Sequence, residues 1–95
     1  MSKKEAYEKK LEAQLKEWKT DIDKMKAKAE KADAEARLEY YKQIEDLRSK
    51  QEAVQKKLTE LKAAGESAWE DLKSGIDLAW TSLAESIKSA RSRFN

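Results

Sequence analysis

Met25-Lys26-Ala27-Lys28-Ala29-Glu30-Lys31-Ala32-Asp33-Ala34-Glu35-Ala36-Arg37 contains neither glycine nor proline and is rich in alanine, the residue with the highest intrinsic helix propensity. Taken alone, the stretch predicts the middle of a helix. Toward the N-terminus the apolar residues run Leu11, Leu15, Trp18, Ile22, Met25, Ala29, Ala32 and Ala36, with steps alternating between four and three after Leu15. That spacing is a heptad seam, with Leu15, Ile22, Ala29 and Ala36 at a and Leu11, Trp18, Met25 and Ala32 at d. Toward the C-terminus a second seam follows as Ile44, Leu47, Gln51, Val54, Leu58 and Leu61. Steps of four from Ala32 through Ala36 and Tyr40 to Ile44 lengthen the local period to about 3.75 residues, which straightens or reverses a supercoil. The expectation is one helix over residues 3–64, roughly 90 Å long at the α-helical rise per residue.

Leu61-Lys62-Ala63-Ala64-Gly65-Glu66-Ser67-Ala68-Trp69-Glu70 punctuates the pattern. Gly65 can take the left-handed conformation that closes a helix, and Ser67 with Glu70 has the spacing of a capping box that opens the next. Together they predict a tight turn at about 65–67 and a second helix over 68–94. In that helix Trp69, Leu72, Ile76 and Ala79 recur eleven residues later as Trp80, Leu83, Ile87 and Ala90, and Phe94 repeats Leu83 at the same interval. A period of about 3.67 keeps these residues on one stripe. Burying Trp69, Leu72, Ile76, Trp80, Leu83 and Ile87 contributes on the order of 9 to 18 kcal/mol before the entropy of ordering is subtracted. Packing therefore decides the fate of this helix, and the simplest cover is an antiparallel fold-back onto residues 36–63.

The chain is thus predicted to be all-α and a single helical domain over residues 1–95: a long coiled-coil helix, a tight turn and a shorter antiparallel helix, forming an αα-hairpin. Such a hairpin leaves Tyr7, Leu11, Leu15, Trp18, Ile22 and Met25 uncovered, and the simplest partner is a second copy. The alanines Ala29, Ala32 and Ala36 lie near the middle of the long helix, where two antiparallel copies can approach closely. The expected assembly is an elongated antiparallel homodimer with a three-helix bundle at each end, residues 38–94 from one copy and 3–30 from the other.

Composition narrows the function. There is no cysteine and no histidine, which removes disulfides, thiolate nucleophiles, imidazole bases and the commonest zinc and haem ligands. The start, Met1-Ser2-Lys3-Lys4-Glu5-Ala6-Tyr7, lacks an apolar leader segment, and no run approaches the roughly 20 apolar residues of a spanning helix, so a cytoplasmic location is expected. Lysine and arginine together number 21 and aspartate and glutamate 19, a balance that disfavours nucleic acid as a partner. Lys24, Lys26, Lys28 and Lys31 are interleaved with Asp23, Glu30 and Asp33. Glu5/Lys9, Glu12/Lys16, Asp33/Arg37, Asp46/Lys50 and Glu52/Lys56 sit four apart in the acid-first order that supports a helix surface.

The densest polar clusters, Glu39-Tyr40-Tyr41 and Glu45-Asp46, do not make a reaction centre. Helix neighbours diverge by about 100°, so neither the two tyrosines nor the two carboxylates share one pocket wall. Gln51 at an a position reads as a register-fixing polar residue. Arg91 and Arg93 suit the C-terminal end of a helix dipole, while Gly75 falls inside the second helix, where it costs about 1 kcal/mol relative to alanine. No catalytic, metal or cofactor residues are expected.

Leu38-Glu39-Tyr40-Tyr41-Lys42-Gln43-Ile44, the stretch from Leu61 to Lys73, and the closing Ala79-Trp80 and Arg93-Phe94 resemble a family of small bacterial coiled-coil proteins of uncharacterised function. The likeness spans about Tyr7 to Phe94. It implies a bacterial, non-enzymatic protein, and some family members carry a stress-response label. The sequence expectation is accordingly a structural or interaction protein that self-associates through Leu11, Leu15, Trp18, Ile22, Met25, Ala29, Ala32 and Ala36 and docks a protein partner. The alternative is a peripheral membrane or lipid-packing sensor whose serine-rich amphipathic helix 68–94 lays Trp69, Leu72, Ile76, Trp80, Leu83, Ile87 and Phe94 on a bilayer.

Overall fold

The computed structural model describes residues 2–94 and consists of three helices: α1, Lys3–Lys31; α2, Ala34–Ala63; and α3, Trp69–Phe94. The all-α expectation holds, and no strand occurs among the described residues. The unbroken helix over 3–64 does not: it is interrupted at Ala32 and Asp33, both extended, with ψ of 162° and 170°. Asp33 is the reason. Its carboxylate accepts a hydrogen bond from the Ala36 amide at 2.9 Å, making it the N-cap of α2. Lys28 and Lys31 lie in the last turn of α1 and Glu35 in the first turn of α2, so both helix dipoles are matched across the break. The Arg37 guanidinium closes the corner by donating to the carbonyl oxygens of Glu30, at 3.3 Å, and Ala32, at 3.1 Å, two of the groups that the end of α1 leaves unpaired.

The other termini follow the same logic. Ser2 caps α1, its hydroxyl accepting from the Glu5 amide at 3.1 Å. The second break falls where expected but is built differently. Gly65 does not take a left-handed conformation, since no glycine has positive φ, and the bend is made by extended Ala64. Nor does the Ser67–Glu70 capping box form: among the described residues no side chain of that pair caps α3, and the turn is closed by the Ala68 amide on the Gly65 carbonyl at 3.0 Å and the Asp71 amide on the Ala68 carbonyl at 3.2 Å.

Two breaks let one chain supply all three helices of a bundle. Lys4 and Glu12 of α1 meet Lys62 of α2 while Asp23 meets Arg48, so α1 and α2 run antiparallel. Lys50 donates to Ser86 and Gly75 lies beside Lys57, placing α3 antiparallel to α2. Tyr7 reaches Asp77 and Asp21 reaches Arg91, so α3 is parallel to α1. A helix of 29 or 30 residues is about 44 Å long, consistent with a rod of 51 × 20 × 19 Å. Its radius of gyration, 15.3 Å, exceeds the roughly 12 Å of a rounded domain of this size.

The core runs the length of this rod. Leu11, Leu15, Trp18, Ile22, Met25 and Ala29 from α1 are buried against Ile44, Leu47, Val54, Leu58 and Leu61 from α2 and Trp69, Ile76, Leu83, Ile87 and Ala90 from α3. No polar or charged side chain belongs to the buried set among the described residues, so the core needs no internal hydrogen-bond network. The seam expected to await a second copy is therefore covered within its own chain.

Candidate functional site

The residues singled out from sequence fall into three groups. Those of the α1 seam converge on the core, with Ala32 and Ala36 half-buried at its upper end beside the Asp33 break. Those of the α3 stripe point inward too: Trp69, Ile76, Leu83 and Ile87 are buried, and Leu72 and Trp80 are half-buried against the same core. Phe94 closes α3, and its side chain lies outside the described residues. Gly65, Ser67 and Glu70 are exposed on the connection between α2 and α3.

Two aromatic contacts join α1 to α3. Trp18 and Trp80 lie 4.6 Å apart between ring centroids, tilted by 48°; Tyr7 and Trp69 lie 5.8 Å apart, tilted by 41°. The Tyr7 hydroxyl donates to the Asp77 carboxylate, and the Lys73 ammonium sits 5.6 Å from the centre of the Tyr7 ring. Burial pushes the Tyr7 phenol above its ordinary pKa of 10.0, and the Asp77 bond and negative charge push it further in the same direction. The Tyr7 hydroxyl and ring are thus each engaged by a charged side chain of α3. The physical role of the cluster is to lock the start of α1 to the start of α3.

At the same end, Lys4 pairs with Glu8 at 3.1 Å and donates to the Lys62 carbonyl at 3.4 Å, satisfying a group at the end of α2. Lys62 pairs with Glu12, whose hydrogen bond raises the Lys62 pKa above its ordinary value. Beside this pair a shallow groove of about 320 Å³ runs between α1 and α2, floored by Leu15 and Leu58 and rimmed by Lys16, Lys19, Gln51 and Gln55. Gln51 thus lies half-buried at the groove edge rather than in the core.

The polar clusters separate as their spacing requires. Tyr40 packs on the core while Glu39 and Tyr41 are exposed; Glu45 and Asp46 are both exposed, and Asp46 pairs with Lys50 at 3.4 Å. Arg91 reaches across to Asp21, so it joins two helices as well as facing the dipole of its own. Among the described residues no group of three or more acidic, histidine or cysteine side chains is placed to hold a metal ion, and no helix is long and apolar enough to cross a membrane. Among the described residues three large apolar side chains remain outside: Leu38 at 58% exposure, Tyr41 at 42% and Leu78 at 74%. Leu38 and Tyr41 are one turn apart on α2, and Leu78 stands on the serine-bearing outer face of α3, near Ser74 and Ser82.

No protein-family model, curated protein or solved structure matches the chain. What the fold itself defines is an all-α chain that covers its own apolar stripes and presents charged helix surfaces with a few apolar side chains among them.

Proposed function

We propose that the protein is a non-enzymatic structural and interaction module of the cytoplasm, working through helix-mediated self-association and the docking of a protein partner. The observation that supports it most is how the chain uses its chemistry: the large side chains make core, the charges make ion pairs between helices, and the small apolar surface left over is presented on helices. Leu38 and Tyr41, adjacent on α2, are the exposed anchors such a surface uses. The self-associated form in this reading is the antiparallel dimer with a three-helix bundle at each end. Its stress association follows the resemblance of the sequence to coiled-coil proteins bearing that label.

A lipid-sensing role for residues 68–94 has less support, because Trp69, Ile76, Leu83 and Ile87 would first have to leave the core. Sedimentation equilibrium from micromolar to millimolar protein, together with tryptophan emission in the presence of liposomes, tests the proposal. A mass that rises toward two chains, with emission indifferent to lipid, is expected. A fixed monomer mass with a lipid-induced blue shift would favour the membrane reading.

A further inference from the structure

We infer that the Ala32–Asp33 connector is a hinge through which α1 exchanges between two copies of the chain, so that one sequence forms both a closed monomer and an exchanged dimer. This rests on the self-association proposed above and specifies its mechanism.

At about 100° per residue, the eleven-residue step from Ala29 to Tyr40 returns to within about 20° of its start, as does the step from Trp18 to Leu47. If residues 32 and 33 became helical, the α1 and α2 seams would fall on one face of a single helix. That is the condition for two such helices to pair antiparallel along their full length. A connector of arbitrary length would close the monomer equally well but would put the two seams out of phase when straightened.

The break is held by few groups. Neither Ala32 nor Asp33 has a positive φ, neither is glycine or proline, and Ala29, Ala34 and Ala36 lie within four residues of them. The kink depends on the Asp33 carboxylate on the Ala36 amide and on the Arg37 guanidinium over the Glu30 and Ala32 carbonyls, all on the exposed surface. Straightening exchanges these for main-chain helix bonds at the same amides and carbonyls. Every other α1 contact is conserved in kind: Trp18 with Trp80, Tyr7 with Asp77, Asp21 with Arg91 and Asp23 with Arg48 would form between copies instead of within one. The two states then differ in the connectors and in the entropy of association, so concentration sets the balance between them.

Two substitutions push the hinge in opposite directions. Asp33→Ala removes the cap from the connector of each of the two closed monomers that combine, which the continuous helices of the dimer do not use, and should tighten dimerisation about thirtyfold. Ala34→Pro sits at the first position of α2, where proline is accepted after extended Asp33, but it cannot lie inside a continuous helix, so it should abolish the dimer while keeping the monomer folded. Strand exchange is read with cysteines at two positions that face each other across the α1–α2 groove, Lys16→Cys with Gln55→Cys, joined by a short bifunctional reagent. The closed monomer cross-links within itself, whereas the exchanged dimer yields a covalent dimer on a denaturing gel. Covalent dimer that grows with concentration, increases in D33A and disappears in A34P is the expected result. A D33A protein that stays a helical monomer at millimolar concentration overturns the inference. A dimer that cross-links only within each chain also overturns it, while leaving self-association intact. If D33A fails to fold, the comparison of the unsubstituted hinge with A34P decides: equal covalent dimer in both overturns it.

Discussion

The indole of Trp18 on α1 lies against that of Trp80 on α3, with 4.6 Å between ring centroids and a 48° tilt. Trp18 is buried and Trp80 half-buried, so the pair forms an apolar contact between the two parallel helices near the middle of the rod. Trp80→Leu should lower stability in urea by about 1–3 kcal/mol. A double-mutant cycle with Trp18→Leu should return a coupling of about 0.5–1.5 kcal/mol, the excess expected of tilted aromatic rings beyond burial. Strict additivity would mean that the rings are neighbours without a specific interaction.

Tyr7 sets a pH dependence. Its folded-state pKa is raised by burial and by Asp77, so the folded chain keeps the phenolic proton at pH values where the unfolded chain, near 10, has released it. The Tyr7 contribution is therefore complete below about pH 10 and is lost as pH rises beyond that point. Tyr7→Phe should cost about 1 kcal/mol at neutral pH, with the gap to the unsubstituted protein narrowing above pH 10. Parallel stability curves through the alkaline range would show that the Tyr7–Asp77 bond does not form.

Both glycines should accept alanine. A Cβ on Gly75 would meet only the Lys57 ammonium, at 3.9 Å, so Gly75→Ala gains helix propensity without a clash and should add about 1 kcal/mol. Gly65 has nothing within 4 Å of a Cβ and no positive φ, so Gly65→Ala should add about 0.4–1 kcal/mol by restricting the unfolded chain. A loss of about 1 kcal/mol at Gly65 would instead reveal a left-handed residue there. Thermal melts of the two variants distinguish these outcomes.

The Asp21–Arg91 pair ties the last turn of α3 to α1 about one turn beyond Trp18, with side-chain exposures of 15% and 47%. Arg91→Gln should cost no more than about 1 kcal/mol, and most of that difference should vanish in 1 M salt. A larger, salt-insensitive loss would place the pair in a far drier setting than the structure gives it.

Much of this architecture was legible in the sequence, at the level where periodicity speaks. The spacing from Leu11 to Ala29, from Ile44 to Leu61 and from Trp69 to Ala90 marks three apolar faces, and residues on each of them are buried. Periodicity hides the break at Asp33, because an aspartate in an alanine-rich run costs a helix only about 0.7 kcal/mol and no glycine or proline announces a stop. A signal was nevertheless present: Asp33 follows Lys28 and Lys31 and precedes Glu35, the charge order of one helix ending and another beginning. What periodicity could not weigh was the alternative of closure within one chain, which covers the α1 seam without a second copy. At Gly65 the error ran the other way, since the residue type suggested a special conformation that extended Ala64 made unnecessary. The Tyr7–Asp77 and Asp21–Arg91 contacts join residues 70 apart in sequence and depend on helix order that no local pattern encodes.

Small-angle X-ray scattering at a dilution where the measured mass is that of one chain tests the closed three-helix arrangement most directly. The account predicts a radius of gyration close to 15.3 Å and a longest dimension near 51 Å. A particle of one-chain mass extending to roughly 90 Å, the length of an uninterrupted helix over residues 3–64, would contradict it.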